Sequence, residues 1–400
     1  MQPLARARIK VAHIVTRLDL GGAQQNTLHT VKNLDPRRFE ALLVCGPGGS
    51  LDADVKSWPA GEPRRFVVAD LVRPVSPRQD LRAFLALRRI LRAERPLVAH
   101  THSSKAGILG RLAAWSAGVR VIVHTYHGFG FHDRQPWWLK SLYVAAERLC
   151  CAVSDALIFV SRSNWDYARR HHLGKASRYA LIRSGISLSD FPSRGCDAGR
   201  KKESLGLPAQ ARLVLSVGNL KPQKNPLDFL AAARMVSASR KDAAFVFVGD
   251  GPLRERLSGE ADAAGLKERF LLPGWRRDVP ELLAAADVFV MTSLWEGLPR
   301  ALVEAMKSGV APVCYATDGV TDLIRDGVNG FAVKQGDVPA LARRVLELLG
   351  DESLRRKMGE AAASGIDESF DIDRMVRQQE ELYLLLLNRQ PAGQAHEQTP

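Results

Sequence analysis

Residues 293–309 read Ser-Leu-Trp-Glu-Gly-Leu-Pro-Arg-Ala-Leu-Val-Glu-Ala-Met-Lys-Ser-Gly and follow an apolar run, Val288-Phe289-Val290-Met291-Thr292. The run reads as a strand, Glu296 falls in a turn, and Pro299 suits a first helical position, with Glu304 about two turns inside the helix. Strand, turn and helix in that order leave free backbone N–H groups at the helix start, where phosphate is attracted. A carboxylate beside them can accept hydrogen bonds from two neighbouring hydroxyls, such as those of a ribose or a hexose. On this segment alone two readings stand: a nucleotide-sugar site, or a strand–helix unit with two solvated glutamates.

The same alternation runs through the chain. Candidate strands are Ile9–Val15, Ala41–Cys45, Val98–Thr101, Val121–His124 and Ala156–Val160. A second set comprises Leu213–Val217, Ala244–Val248, Phe270–Leu272, Val288–Thr292 and Ala311–Tyr315. Short apolar strands separated by helical patterns predict parallel sheets covered on both faces. Four hundred residues exceed what one core usually covers, so two doubly wound α/β domains are expected. The polar stretch from Asp190 to Gly206 lacks apolar periodicity and reads as a linker. Ligands of such sheets bind at the carboxyl ends of the strands, and a cleft between the two domains is the expected site.

Apolar residues make up 46% of the chain and charged residues 25%, the balance of a soluble globular protein. No run of about 18 apolar residues is present to span a membrane. The first strand begins too early to leave room for a signal peptide. The five cysteines, Cys45, Cys150, Cys151, Cys196 and Cys314, show no metal-ligand spacing. A cytoplasmic protein with reduced thiols is expected.

The net charge of +14 is uneven: residues 1–200 hold 31 Lys and Arg against 15 Asp and Glu. An anionic partner for the first half follows, whether lipid headgroups, phosphorylated substrate or nucleic acid. No helix-turn-helix, zinc-finger or RNA-recognition signature accompanies the charge, so no nucleic-acid partner is expected.

Ser216-Val217-Gly218-Asn219-Leu220-Lys221-Pro222-Gln223-Lys224-Asn225 ends the first strand of the second half. Glycine permits a close turn there, and Lys221 and Lys224 can place ammonium groups over a diphosphate. Further pieces follow in order: Val248-Gly249-Asp250-Gly251-Pro252, Ala286-Asp287-Val288, the Glu296–Met306 segment, Gly309-Val310-Ala311-Pro312-Val313 and Gly327-Val328-Asn329-Gly330. This set resembles the retaining glycosyltransferases of family 4, whose GT-B fold has two facing Rossmann-like domains with an interdomain cleft. In the first half, Leu20-Gly21-Gly22-Ala23-Gln24 resembles the family's glycine loop. His100–Gly107, His124–Phe129 and Ile182–Ile186 resemble segments of its capsule and exopolysaccharide enzymes.

The resemblance implies a layout and roles. An acceptor-binding domain spans 1–190, a linker 191–210 and a nucleotide-sugar-binding domain 211–367, followed by a C-terminal helix over 368–388 and a disordered tail over 389–400. Lys224 neutralises the leaving diphosphate, Glu304 binds the ribose hydroxyls, and Glu296 contacts the donor sugar. Backbone from Gly297 through Leu298, Pro299 and Arg300 to Ala301 holds sugar and phosphate oxygens. Gly21 and Gly22 let backbone approach the diphosphate. His127 lies beside the donor sugar across the cleft, and Trp275-Arg276 borders the nucleobase. His100, His102 and His124 are structural or acceptor-side.

Asn219 departs from the family pattern, which has Arg there, so the diphosphate has one charge fewer beside Lys221 and Lys224. Asp322 stands where Glu is common.

No cofactor and no metal are expected, since lysine and helix N-termini supply positive potential. The implied function is hexose transfer from a nucleotide-diphosphate sugar, with retention, to a glycan or polyprenyl-diphosphate-linked acceptor in cell-surface polysaccharide synthesis. Trp137-Trp138 and the Arg-rich stretch Arg82–Arg95 suggest a peripheral site at the inner face of the membrane, against an ordinary core helix over 136–152. The alternatives are a same-fold nucleotide-sugar epimerase or phosphorylase, a catalytically weak nucleotide-sugar-binding protein, and a nucleic-acid-binding protein.

Overall fold

A computed structural model describes residues 8–58, 63–191 and 197–389. Among them are thirteen strands. Those of the first sheet are β1 (Ile9–Val15), β2 (Phe39–Cys45), β3 (Arg64–Val67), β4 (Val98–His102), β5 (Val121–Tyr126), β6 (Ala156–Phe159) and β7 (Tyr179–Leu181). Those of the second are β8 (Arg212–Val217), β9 (Ala243–Val248), β10 (Phe270–Gly274), β11 (Val288–Met291), β12 (Ala311–Tyr315) and β13 (Phe331–Val333). The sheet orders are β3-β2-β1-β4-β5-β6-β7 and β10-β9-β8-β11-β12-β13. Every strand pairing is parallel. Parallel pairing requires crossover connections, which the intervening helices supply. Each order reverses once, between β1 and β4 and between β8 and β11, and such reversals open a crevice at the strands' carboxyl ends.

The central strands are buried on both faces, which is why Val, Ile and Leu run through them without alternation. The first sheet packs Ala12, Ile14, Leu42, Val44 and Ile122 against Leu87 and Leu91 of the helix Pro77–Glu94 and against Ala106 and Ala113 of the helix Ser104–Ala117. The second sheet is covered on one face by the helix Pro226–Ser239, through Phe229 and Leu230, and by Leu341 and Leu348 of the helix Val338–Gly350.

The chain divides into two compact units. One holds the described residues up to Phe159, Ala168–Ile182 and those from Met375; the other holds Val160–Tyr167 and Arg183–Arg374. These bounds differ from the expected 1–190 and 211–367. The C-terminal helix, Ile372–Asn388, is part of the first unit from Met375 on. Tyr383 is fully buried 6.2 Å from Phe39, and the Glu380 carboxylate accepts from the Asp35 N–H at 2.6 Å.

The expected linker is also partly structured. Its described portion contains the helix Ala198–Glu203, capped by Asp197. Lys202 is buried, donating to the Ala211 carbonyl at 2.7 Å and pairing with Asp287 at 3.2 Å. A charged, aperiodic segment can therefore be ordered when its charge finds a buried partner. Residues 192–196, including Cys196, and the tail from 390 lie outside the described residues. Cys45, Cys150, Cys151 and Cys314 are free and buried. Among the described residues no helix is long and apolar enough to cross a membrane.

Candidate active site

In the second unit, the loops after β8 and β11 meet at the point where strand order reverses. Gly218 (φ 159°) ends β8, and the Lys224 stem lies over it; a Cβ on Gly218 would sit 3.4 Å from the lysine Cε. Asn225, in the left-handed region at φ 46°, turns the chain into the helix Pro226–Ser239. Backbone ties hold the second loop against the first. Leu294 N–H donates to the Gln223 carbonyl (2.8 Å), and Gln223 Nε2 donates to the Trp295 carbonyl (2.9 Å). The Thr292 hydroxyl lies 3.1 and 2.9 Å from the carbonyls of Lys224 and Asn225. The clamp brings Lys224 Nζ to 2.5 Å from Glu296 Oε1, with the two side chains only 17% and 8% exposed.

The helix after this loop runs Arg300–Lys307, with Pro299 as its N-cap at φ −75°, ψ 99°. Pro299 is therefore outside the helix rather than its first residue. Glu304 lies about one turn in, not two, because the extended Pro299 backbone delays the helix start. Arg300 Nη2 donates to Glu304 Oε1 at 3.1 Å, the i,i+4 geometry of a helix face. Gly319, at φ 73°, approaches the Gly297 carbonyl so closely that a Cβ would lie 2.0 Å from its oxygen. Gly319 therefore packs directly on the backbone at Gly297, at the start of the Gly297–Ala301 stretch.

Asn219 and Lys221 share the loop of Lys224, tied down by Gly218 N–H to the Val248 carbonyl (2.9 Å) and Leu220 N–H to the Asp250 carbonyl (3.0 Å). Arg276 forks onto Asp278 at 2.8 and 2.7 Å, and Lys201 adds a third donor at 2.7 Å. The Arg276 hydrogen bond chiefly holds the Asp278 carboxyl well below the usual carboxylate range. Trp275 beside it is 39% exposed. Asp322 caps the helix Arg162–Arg170, accepting from the N–H groups of Arg162 and Ser163 and from the Ser163 hydroxyl.

The first unit carries the remaining predicted residues. Gly21 caps the helix Gly22–Asn33, which follows β1. Nearby, at the carboxyl ends of β1 and β4, is a cavity of about 570 Å³. Thr16, Arg17, Ser103 and Lys105 form a polar wall, and Leu139 and Leu142 an apolar one. Lys105 pairs with Asp80 at 2.5 Å, and Arg17 and Arg73 both pair with Asp19. Leu139 and Leu142 lie on the helix Trp137–Ala152. It is not an ordinary core helix: Cys150 and Cys151 are buried, but Trp137 is 80% and Trp138 58% exposed.

Five histidines cluster beside this cavity's strands. His13 is on β1, His100 and His102 on β4, His124 on β5, and His127 just beyond it. Burial lowers all five below the ordinary histidine range, His13 to about 3 and His127 to about 4. His13, His100 and His102 each place a ring nitrogen within 4.8 Å of the others. Both nitrogens of His100 are engaged, with Tyr383 (2.5 Å) and Thr125 (2.7 Å), as are both of His102, with His13 and His127 (3.2 Å each). The structure pairs Lys224 with Glu296 and Arg300 with Glu304, the two glutamates lying on either side of the Gly297–Ala301 backbone in the second unit's chain. It places Gly21, Gly22 and His127 in the first.

The family model "Glycosyl transferases group 1" matches residues 197–365, and "Glycosyl transferase 4-like domain" matches 21–185. The UDP-Gal:alpha-D-GlcNAc-diphosphoundecaprenol alpha-1,3-galactosyltransferase of Escherichia coli is 32% identical over 381 residues, 94% of this chain and 97% of that protein. A Campylobacter jejuni enzyme, GalNAc-alpha-(1->4)-GalNAc-alpha-(1->3)-diNAcBac-PP-undecaprenol alpha-1,4-N-acetyl-D-galactosaminyltransferase, is 26% identical, covering 88% of this chain and 91% of its own. Among solved structures, Anabaena Alr3699/HepE in complex with UDP and glucose superposes with a TM-score of 0.81 at 21% identity, over 94% of this chain and all of that one. With both domain models matched in order and a relative of this identity spanned nearly end to end, the chain belongs to the retaining glycosyltransferases of family 4 and has their GT-B fold.

Proposed function

We propose that this hexosyltransferase takes its sugar from a nucleoside-diphosphate sugar and passes it to a hydroxyl of a glycan carried on a polyprenyl diphosphate, in cell-surface polysaccharide synthesis. The observation that carries the donor half is the clamp between the β8 and β11 loops, which sets Lys224 on Glu296 beside the start of the Arg300–Lys307 helix. An ammonium has three N–H donors, and Glu296 occupies one. The others are positioned for phosphate oxygens, with Lys221 nearby on the loop that carries the uncharged Asn219. Glu304 reads the ribose hydroxyls. The backbone from Gly297 to Ala301 takes sugar and phosphate oxygens, and Arg276 with Trp275 borders the base.

We read retention as a front-face substitution without a covalent sugar–enzyme bond. Glu296 is held by Lys224 and Glu304 by Arg300, which suits both to binding roles. In a front-face route the bond from the anomeric carbon to the diphosphate breaks and the bond to the acceptor oxygen forms on the same face. The acceptor proton passes to the leaving phosphate. The protein supplies position and positive potential. His127 contacts the transferred hexose. No bound metal is required, because Lys224 supplies the charge.

The acceptor half rests on the cavity of the first unit and on the lipid-linked acceptors named for the two relatives. Its polar wall suits a diphosphate and its apolar wall the first isoprene units, with exposed Trp137 and Trp138 nearby for a membrane interface. With a nucleotide sugar and a polyprenyl-diphosphate glycan in EDTA, the expected result is acceptor-dependent release of nucleoside diphosphate with a lengthened glycan. Epimerised sugar nucleotide without acceptor, or activity that returns only with a divalent ion, would contradict the proposal. The protein should also sediment with anionic vesicles at low salt and leave them at high salt. Absence of binding at low salt would remove the membrane-surface role.

A further inference from the structure

Three imidazoles in the first unit form a continuous chain. His13 Nδ1 lies 3.2 Å from His102 Nε2, and His102 Nδ1 lies 3.2 Å from His127 Nε2. The terminal nitrogens, His13 Nε2 and His127 Nδ1, are buried and have no hydrogen-bond partner among the described residues. His100, beside them, forms a separate network. Its Nδ1 is engaged by the Tyr383 hydroxyl and its Nε2 by the Thr125 hydroxyl. His100 therefore has no nitrogen left for His13.

A neutral imidazole carries one N–H and one lone pair, on opposite nitrogens. A link between two neutral rings needs an N–H on one side and a lone pair on the other, so each link couples two tautomers. Only two arrangements satisfy both links: every ring carries its hydrogen on Nδ1, or every ring carries it on Nε2. The first leaves the spare N–H at His127 Nδ1, and the second leaves it at His13 Nε2.

The ends of the chain are not equivalent. His13 has no exposed surface, and its Nε2 meets no acceptor. Buried N–H groups without an acceptor are rarer in proteins than under-satisfied acceptors, so the closed end favours the bare lone pair. His127 Nδ1 is covered as well, but its residue reaches the surface on the turn beyond β5, so a small turn of the ring lets an incoming ligand oxygen meet a donor there, which the enclosed His13 end does not allow. We propose that His13 and His102 are positioning residues that fix His127 as its Nδ1–H tautomer, so that His127 donates a hydrogen bond to an oxygen of the bound hexose. The last step rests on the reading of His127 as a substrate contact.

The test is nitrogen-15 NMR of histidine-labelled, ligand-free protein, in which a protonated and a bare ring nitrogen resonate far apart. His127 is expected to carry its hydrogen on Nδ1. In His102→Phe, which keeps a ring of similar shape without hydrogen bonds, His127 should move to Nε2–H or a mixture. Turnover should fall about tenfold to a hundredfold, as when an orienting partner is lost. In His102→Asn the amide N–H stands where Nδ1 stood and donates to His127 Nε2, restoring both the tautomer and most of the turnover. An Nε2–H tautomer in the unaltered protein would overturn the proposal, and so would an unchanged tautomer in folded His102→Phe. If the unaltered protein transferred no sugar, the functional reading would fail, while the tautomer measured without ligand would still decide the chain.

Discussion

Lys224→Ala is expected to lower kcat by about 10²- to 10³-fold, the loss seen when one preorganised group is removed from a developing negative charge, about 2.7–4 kcal/mol. Lys224 Nζ is held at 2.5 Å from a carboxylate that is 8% exposed, on a loop fixed to its neighbour by several hydrogen bonds. Its ammonium is therefore in place before the diphosphate arrives, and no reorganisation is needed as the leaving group gains charge. The substitution also leaves Glu296 nearly buried without its cation, at a folding cost of roughly 1–3 kcal/mol. Lys224→Gln separates the two effects. Its amide still donates toward Glu296, so stability recovers, while the missing charge keeps turnover low. Near-normal turnover in a folded Lys224→Ala protein would contradict the assignment. The carboxamide of Asn219 adds no charge to this turn.

Acidification is expected to destabilise the first unit before any carboxylate network titrates. The folded pKa values of His13 and His127 lie near 3 and 4, against an unfolded value of about 6.5. Below 6.5 the unfolded chain binds protons that the folded chain refuses. Stability is therefore complete above that value and falls as pH drops toward the folded values. At pH 5 each of these two histidines costs about 2 kcal/mol relative to pH 8. His100, His102 and His124 shift the same way, chiefly through burial; neighbouring imidazoles and, for His124, the Arg111 charge add to it. Chemical denaturation at pH 8 and pH 5 should show a clear loss of stability, large against the roughly 5–15 kcal/mol that holds a domain together. An unchanged midpoint over that range would mean that the histidines are hydrated rather than enclosed.

The central strands were legible because a strand buried on both faces must be an unbroken apolar run. Three strands were missed, and all lie at sheet edges: β3, which begins with two arginines, and the three-residue β7 and β13. An edge strand needs neither length nor continuous apolarity to pair on one side. The C-terminal helix was legible as a helix, but its docking through Tyr383 and Glu380 depends on residues more than 280 positions away. Lys202 is charged and yet buried, and only its ion pair with Asp287, 85 residues on, explains the order of the supposed linker.

The candidate site was legible one segment at a time. Glu296, Glu304 and Lys224 each stood out by type and by place at a strand end. Their pairing did not, because Lys224 and Glu296 are 72 residues apart and meet only where β8 and β11 adjoin. The i,i+2 spacing of His100 and His102 puts both on one face of β4. His13 joins them because β1 pairs with β4 in a register that sets His13 opposite His100. No spacing within one segment could have shown that.

The central claim, retaining transfer from a nucleotide sugar, is tested most directly by the anomeric configuration of the first product. The protein, an α-linked nucleotide sugar and a polyprenyl-diphosphate glycan are followed by proton NMR from the earliest turnover. The account predicts a new α-glycosidic anomeric signal that grows as nucleoside diphosphate is released. A β-linked product, or free hexose or epimerised nucleotide sugar with the acceptor unchanged, would contradict it.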